Sequence, residues 1–108
     1  MGIPFRFRSL VVTALALTLA AAGCGPKGDP TIKVGAFLSM TGGTATFGQS
    51  SQKGMQLAID EANAEGGILG KQLTLITEDD RSNAQEAKTA AVKLLQQDKV
   101  VALLGEVA

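Results

Sequence analysis

The sequence predicts an α/β fold, a three-layer parallel sheet connected β-α-β-α-β with its strands in the spatial order 2-1-3. Three observations lead there. Hydrophobic residues follow strand-like patterns in three short runs and a helical period in the two segments between them. Each run is joined to the next by a connection of helix length, which pairs strands in parallel with right-handed crossovers. The first and third runs are apolar on both faces, as strands covered on both sides are.

The first strand is "TIKVGAFL", Thr31 to Leu38, with Ile32, Val34, Ala36 and Leu38 on one face and Gly35 and Phe37 on the other. A helix is predicted from Gln49 to Ala64. Met55, Ala58, Ile59 and Ala62 make its apolar stripe, Lys53, Gln56, Asp60 and Asn63 take the other faces, and Gly66 and Gly67 end it. "KQLTLITEDD" is the second strand, with Leu73, Leu75 and Thr77 on one face and Ile76 on the reverse. Asn83 and Glu86 have the spacing of a capping box, in which each side chain satisfies an otherwise unpaired backbone N–H at the start of a second helix. Ala87, Ala91, Leu94 and Leu95 form that helix's stripe, which runs to about Gln97, and Asp98 and Lys99 turn the chain. "VVALL", Val100 to Leu104, is a continuous apolar run and is expected to be a third strand buried on both faces.

In such a sheet ligands sit beyond the carboxyl ends of the strands, where the strand order reverses. Here that place lies between the first and third strands, beside the loop Ser39 to Phe47 and the segment from Gly105. The loop enters the helix as "GTATFGQS". Gly43, Gly48 and Ser50 are spaced as in the phosphate-cradling G-x-x-x-x-G-K-[ST], but Gln49 holds the position of the lysine. A neutral amide supplies no charge for a triphosphate, so no nucleotide is expected. Backbone N–H groups and hydroxyls at a helix start keep a general preference for anions. Ser39, Thr41, Thr44 and Thr46 add hydrogen bonds and Phe47 an apolar face, a chemistry that suits a small zwitterion with an apolar side chain. The same residues also fit a solvated loop in which Ser and Thr cap the helix and Phe47 packs into the core.

Catalytic and metal chemistry find no support. Glu78, Asp79 and Asp80 alternate in face and do not converge; they are expected to form a solvated strand end with helix-capping duty. Glu61 and Glu65 read as a solvated helix face. The chain has no histidine, so no Ser, His and Asp set forms. No catalytic residue, metal or cofactor is expected.

Residues 1–23 read as an export signal: Arg6 and Arg8 precede an apolar stretch from Leu10 to Leu19 and a run of small residues. The apolar stretch is shorter than the roughly 20 residues of a spanning helix. Cys24, the single cysteine, follows Ala21, Ala22 and Gly23, which resembles a bacterial lipobox even with Ala21 where Leu is usual. That resemblance implies cleavage before Cys24 and lipidation of its thiol, which would anchor the chain at a membrane surface. "GPKGDP", Gly25 to Pro30, reads as a flexible tether, so residues 24–30 link the anchor to a folded part at 31–108. Loss of Arg6 and Arg8 with the leader leaves eight basic against ten acidic residues. With no basic run, no nucleic-acid partner is expected. The apolar run near Ala108 predicts that residues 31–108 are the truncated beginning of a longer lobe.

The stretch from Lys33 onward resembles the N-terminal lobe of the type I periplasmic binding proteins. It is most similar to the Leu/Ile/Val-binding branch that serves ATP-driven amino-acid importers. The resemblance is carried by the Gly-rich loop followed by "GMQLAIDEANAEGGILGK", by the acidic strand end "EDD" and by "VVALLGEVA". It implies a two-lobed clamp that closes over an amino acid or related solute without catalysis and delivers it to a membrane permease. It further implies an aromatic contact from Phe47, beside Thr46 and Ser39, and contacts to the solute's carboxylate and amino groups from the segment beginning Gly105, Glu106, Val107 and Ala108. Gly43 stands where many members have proline. An exported protein anchored through Cys24 follows. The ligand domain of an extracellular sensor is the alternative.

Overall fold

The computed structural model describes residues 30–107. The elements are β1 (Thr31–Leu38), α1 (Ala45–Ala64), β2 (Gln72–Asp79), α2 (Ala84–Lys93), which continues into a π-helical turn at Leu94–Asp98, and β3 (Ala102–Leu104). The sheet has the order β2-β1-β3 with both pairings parallel. β1 and β2 are in register from Thr31 opposite Gln72 to Leu38 opposite Asp79, so the two strands end together. β3 pairs Ala102 to Leu104 with Val34 to Ala36. With right-handed crossovers this order puts α1 and α2 on opposite faces. The expected fold class is the observed one.

The core lies on the central strand. Val34, Ala36 and Leu38 are buried together with Ile59 from α1, Ala90 from α2, Leu94 from the turn and Val100. At Gly35 a Cβ would sit 3.0 to 3.2 Å from the side chains of Val100 and Leu103, so the missing side chain is what lets the approach to β3 pack on β1.

Several expectations are corrected. α1 starts at Ala45 and not at Gln49, which makes Thr46, Phe47 and Gly48 helical. The reason is at Gly48: a Cβ there would lie 2.0 Å from the Ser39 carbonyl oxygen, so this glycine permits a close helix–strand approach and does not mark a loop. Asn63, expected to face away, caps an edge instead. Its Nδ2 donates to the Leu73 carbonyl at 2.9 Å and its Oδ1 accepts from the Leu73 N–H at 2.7 Å. Residue 73 directs its backbone away from β1, and the amide replaces the strand that β2 lacks on that side. Ala58, by contrast, is exposed.

In α2 the Asn83 side chain accepts from Gln85 N and Glu86 N as expected, whereas the Asn83 N–H goes to the Asp80 carbonyl and not to Glu86. Ala90 takes the buried place of the stripe, and Leu95 is 50% exposed because the helix widens from Leu94 and rotates it outward. Lys99, left-handed at φ 59°, closes the turn. The third strand is shorter than predicted, and Val101 is 74% exposed. Among the described residues it is an edge strand hydrogen-bonded on one side only, so it lacks the two-sided cover that its apolar run suggested.

Candidate functional site

The carboxyl ends of β1 and β2 finish side by side, and the residues that follow each strand build one cluster. Asp79, the last residue of β2, receives four donors. Its Oδ1 accepts from the N–H groups of Met40 (3.0 Å), Thr41 (3.2 Å) and Arg81 (2.8 Å), and its Oδ2 from the Thr41 hydroxyl (2.6 Å). The Thr41 hydroxyl first, and then the backbone N–H groups, hold the Asp79 carboxyl below its ordinary value against an opposing desolvation. One carboxylate thereby organises the start of the β1–α1 loop.

Asp80 faces the other way and is 1% exposed. Its Oδ1 accepts from the Ser39 hydroxyl (2.8 Å) and the Ser82 N–H (2.9 Å), and its own N–H donates to the Leu38 carbonyl (3.0 Å). Its Oδ2 is buried without a hydrogen-bond partner. Arg81 and Ser82 are left-handed at φ 56° and 57°. That conformation costs roughly 1 to 2 kcal/mol per residue for a side chain with a Cβ, and the hydrogen bonds from Arg81 N and Ser82 N to the two aspartates offset it. Ser82 Oγ then reaches the β1–α1 loop, donating to the Thr41 carbonyl (3.1 Å), accepting from Thr44 N (3.2 Å) and sharing a 2.9 Å hydrogen bond with Thr44 Oγ1. A Cβ on Gly42 would lie 2.7 Å from this hydroxyl, which is why the loop needs glycine there, at φ 89°. Gln49 closes the loop by donating to the Met40 carbonyl at 3.0 Å.

Beside this cluster lies an open cavity of about 370 Å³ lined by Thr44, Asp80, Ser82, Asn83, Ala84, Ala87 and Glu106. Glu106 comes from the segment after β3, and its Oε1 accepts from the Ser39 N–H at 3.4 Å. The cavity is therefore bounded by residues that follow all three strands, at the edge between β1 and β3 where ligands of such sheets sit.

Of the residues singled out in the sequence, Ser39, Thr41, Thr44 and Glu106 meet here. Ser39 is buried with its hydroxyl committed to Asp80. Gly105, at φ 130°, passes so close to β1 that a Cβ would lie 2.1 Å from the Phe37 carbonyl oxygen. Thr46 and Phe47 are on the first turn of α1, both exposed and neither lining the cavity; Phe47 is 61% exposed and does not pack into the core. Val107 is exposed. Ala108 and Cys24 lie outside the described residues.

The sequence alone did not reveal the roles of Asp79 and Asp80: Asp80 is buried and not solvated, and Asp79, partly exposed, braces the β1–α1 loop. Glu78 goes a third way and pairs with Lys93, which also lies 3.4 Å from Asp98. The available signal was the brevity of the link between β2 and α2. Two consecutive acids at a strand end followed within three residues by an Asn cap leave little room for both to reach water.

A hydroxyl-rich loop, a carboxylate-braced turn and an open cavity thus gather at the carboxyl ends of an open parallel sheet, the side on which such sheets take ligands. The chain belongs to the periplasmic binding protein family, whose model matches residues 31–108. It is 32% identical over 83 residues to the Leu/Ile/Val-binding protein BraC3 of Rhizobium johnstonii, an alignment that covers 77% of this chain and 23% of that protein. The branched-chain amino acid transporter substrate binding protein LivJ of Streptococcus pneumoniae, solved in complex with isoleucine, matches at 43% identity and a TM-score of 0.69. That match covers 70% of this chain and 22% of LivJ. A solute binding protein of an ABC transporter from Rhodopseudomonas palustris, solved with 3,4-dihydroxybenzoic acid, matches at 31% identity and a TM-score of 0.61 over 69% of this chain and 20% of its own length. The chain spans about a fifth of the length of these relatives.

Proposed function

We propose that this chain forms the N-terminal, ligand-binding lobe of an exported solute-binding protein that serves an ABC-type importer of branched-chain amino acids or related small solutes. It binds and does not catalyse. In this reading residues 1–23 direct export, Cys24 carries the lipid that holds the protein at the membrane, residues 24–30 are the tether, and the partner downstream is the membrane permease. The observation that carries the proposal is the braced loop itself. Asp79 and Ser82 hold residues 40 to 44 rigidly at the carboxyl end of β1, where a preformed rim lowers the ordering cost of binding a small solute. In this reading Phe47 and Thr46, exposed on the first turn of α1, are the aromatic and hydroxyl contacts to the solute. In the same reading Gly105 and Glu106 supply the opposite edge, and Ala108, outside the described residues, is the further solute contact that the resemblance implies.

The R. palustris relative with an aromatic acid shows that this fold also takes solutes other than amino acids, so the solute is the part to be tested. A protein that carries this lobe should bind isoleucine, leucine or valine in calorimetric titration at micromolar or tighter affinity, about −8 kcal/mol or more. Absence of heat with all three, together with binding of an aromatic or other acid, would move the protein to another solute class.

A further inference from the structure

At the amino end of the sheet, opposite the cavity, the link from α1 to β2 closes in a two-residue turn. The Ile68 N–H donates to the Lys71 carbonyl and the Lys71 N–H to the Ile68 carbonyl, both at 2.9 Å, and Leu69 and Gly70 form the tip with φ of 52° and 74°. Such tips ordinarily carry Asn, Asp or Gly, which accept the left-handed backbone. Leu69 stands there instead, 96% exposed, with Ile68 beside it 48% exposed. Its backbone is strained and its side chain unfavourable in water, and no packing within the described residues offsets either. A local rule broken in this way points to a role outside the fold.

The chain that leads into β1 arrives at this same end, because Thr31 lies opposite Gln72, the residue after the turn. From Cys24 to Thr31 it spans at most about 25 Å. A lipid on Cys24 therefore keeps this end of the sheet near the membrane surface, whereas the carboxyl ends of the strands lie a strand's length further, about 26 Å for the 8 residues of β1. Charge around the turn is mixed, with Lys71 and Lys99 against Glu61 and Glu65, all exposed. The apolar tip, and not net charge, distinguishes this surface.

We propose that Leu69, with Ile68, is a membrane-docking contact: in the lipidated protein of the function proposed above, on which this inference rests, this end of the lobe lies on the phospholipid bilayer and Leu69 enters the boundary between headgroups and acyl chains. The lipid supplies the anchor and the turn the orientation. The reciprocal hydrogen bonds hold the tip in shape, so little is lost in ordering it at the surface. The cavity at the carboxyl ends then faces away from the bilayer, open to solute.

The test uses the membrane-derived, acylated protein that carries this lobe, in phosphatidylcholine vesicles with a quencher attached to the lipid chains. Lys71→Cys takes a fluorophore beside the tip, Leu57→Cys takes it on the exposed face of α1, and the thiol of Cys24 is blocked by its lipid. Fluorescence should be quenched at position 71 and not at position 57. Leu69→Asn suits the left-handed backbone and keeps the fold. It should lower the ratio of docked to undocked lobe about tenfold, the loss expected when a leucine half buried in the bilayer is removed. Quenching should survive high salt, which screens exposed charges only. Equal quenching at both positions, quenching unchanged by Leu69→Asn, or quenching abolished by salt overturns the contact. So does protection of the position 71 fluorophore from aqueous iodide without vesicles, since the tip would then be covered by another part of the protein or by a second copy. An acylated Cys24 without quenching at position 71 refutes the contact and leaves the anchor standing, whereas an unmodified Cys24 in mass spectrometry refutes the anchor and the contact that rests on it.

Discussion

Replacing Asp79 with alanine removes four acceptor contacts at once: those to Met40 N, Thr41 N, Thr41 Oγ1 and Arg81 N. The contacts to Thr41 and Arg81 are exposed, so those donors return to water, and only the Met40 N–H is partly shielded. Each contact therefore counts at the low end for a hydrogen bond, about 0.5 kcal/mol, for about 2 kcal/mol in total. Urea unfolding of Asp79→Ala beside the unaltered chain measures the difference, and amide exchange at Met40 and Thr41 reports the loop directly. Both amides should exchange faster in the variant. The pH dependence has a definite sign. The folded-state pKa of Asp79 is lowered, so its contribution is complete above the ordinary carboxylate value near 3.8 and is lost as the pH falls through the lowered value. A stability change under about 0.5 kcal/mol with unchanged exchange at Met40 and Thr41 would refute the bracing role.

Phe47→Ala in a protein that carries this lobe should weaken solute binding by about 1 to 3 kcal/mol, the value of burying a large apolar side chain. Because the ring is exposed in this lobe, thermal stability should stay unchanged; a lower melting temperature with unaltered calorimetric affinity would contradict the proposed role. Gly48→Ala places a Cβ 2.0 Å from the Ser39 carbonyl oxygen and should destabilise by about 3 kcal/mol, seen as a shifted urea midpoint. Asn63→Ala leaves Leu73 N and O unpaired on the edge of β2 and should cost about 2 kcal/mol by the same measurement. Cys24→Ala should move the protein from the membrane to the soluble fraction, and mass spectrometry of the unaltered protein should find an acylated N-terminal cysteine.

Much of the fold was legible because its determinants are local. β1 was read to the residue, since an apolar run bounded by Pro30 and the polar loop at Ser39 admits one strand. Asn83 announced α2 because an N-cap is satisfied within its own turn. What stayed hidden depends on neighbours distant in sequence. Gly48 looks like a loop glycine until the Ser39 carbonyl is placed against it, and Asn63 looks like a solvated helix residue until the unpaired backbone at Leu73 needs it. Val100 to Leu104 was read as buried on apolar content alone, which says nothing of what else stands beside an edge strand.

The candidate site was hidden for a related reason, its dependence on register. Alternation along β2 correctly sends Asp79 to the side opposite Glu78 and Asp80, and from that the three acids look unrelated. Pairing Leu38 with Asp79 changes their meaning. Both strands then end at the same level, the β1–α1 loop passes over Asp79, and the next residues, Ser39 and Asp80, become neighbours joined at 2.8 Å. A slip of one residue would carry Asp80 to the side of the loop and Asp79 beneath Ser39, exchanging the exposed brace for the buried one. The acids therefore favour the observed register, in which the N–H groups of Met40 and Thr41 and the hydroxyl of Ser39 all find carboxylate acceptors. The chemistry that shapes the ligand-facing loop is thus also chemistry that aligns the strands beneath it.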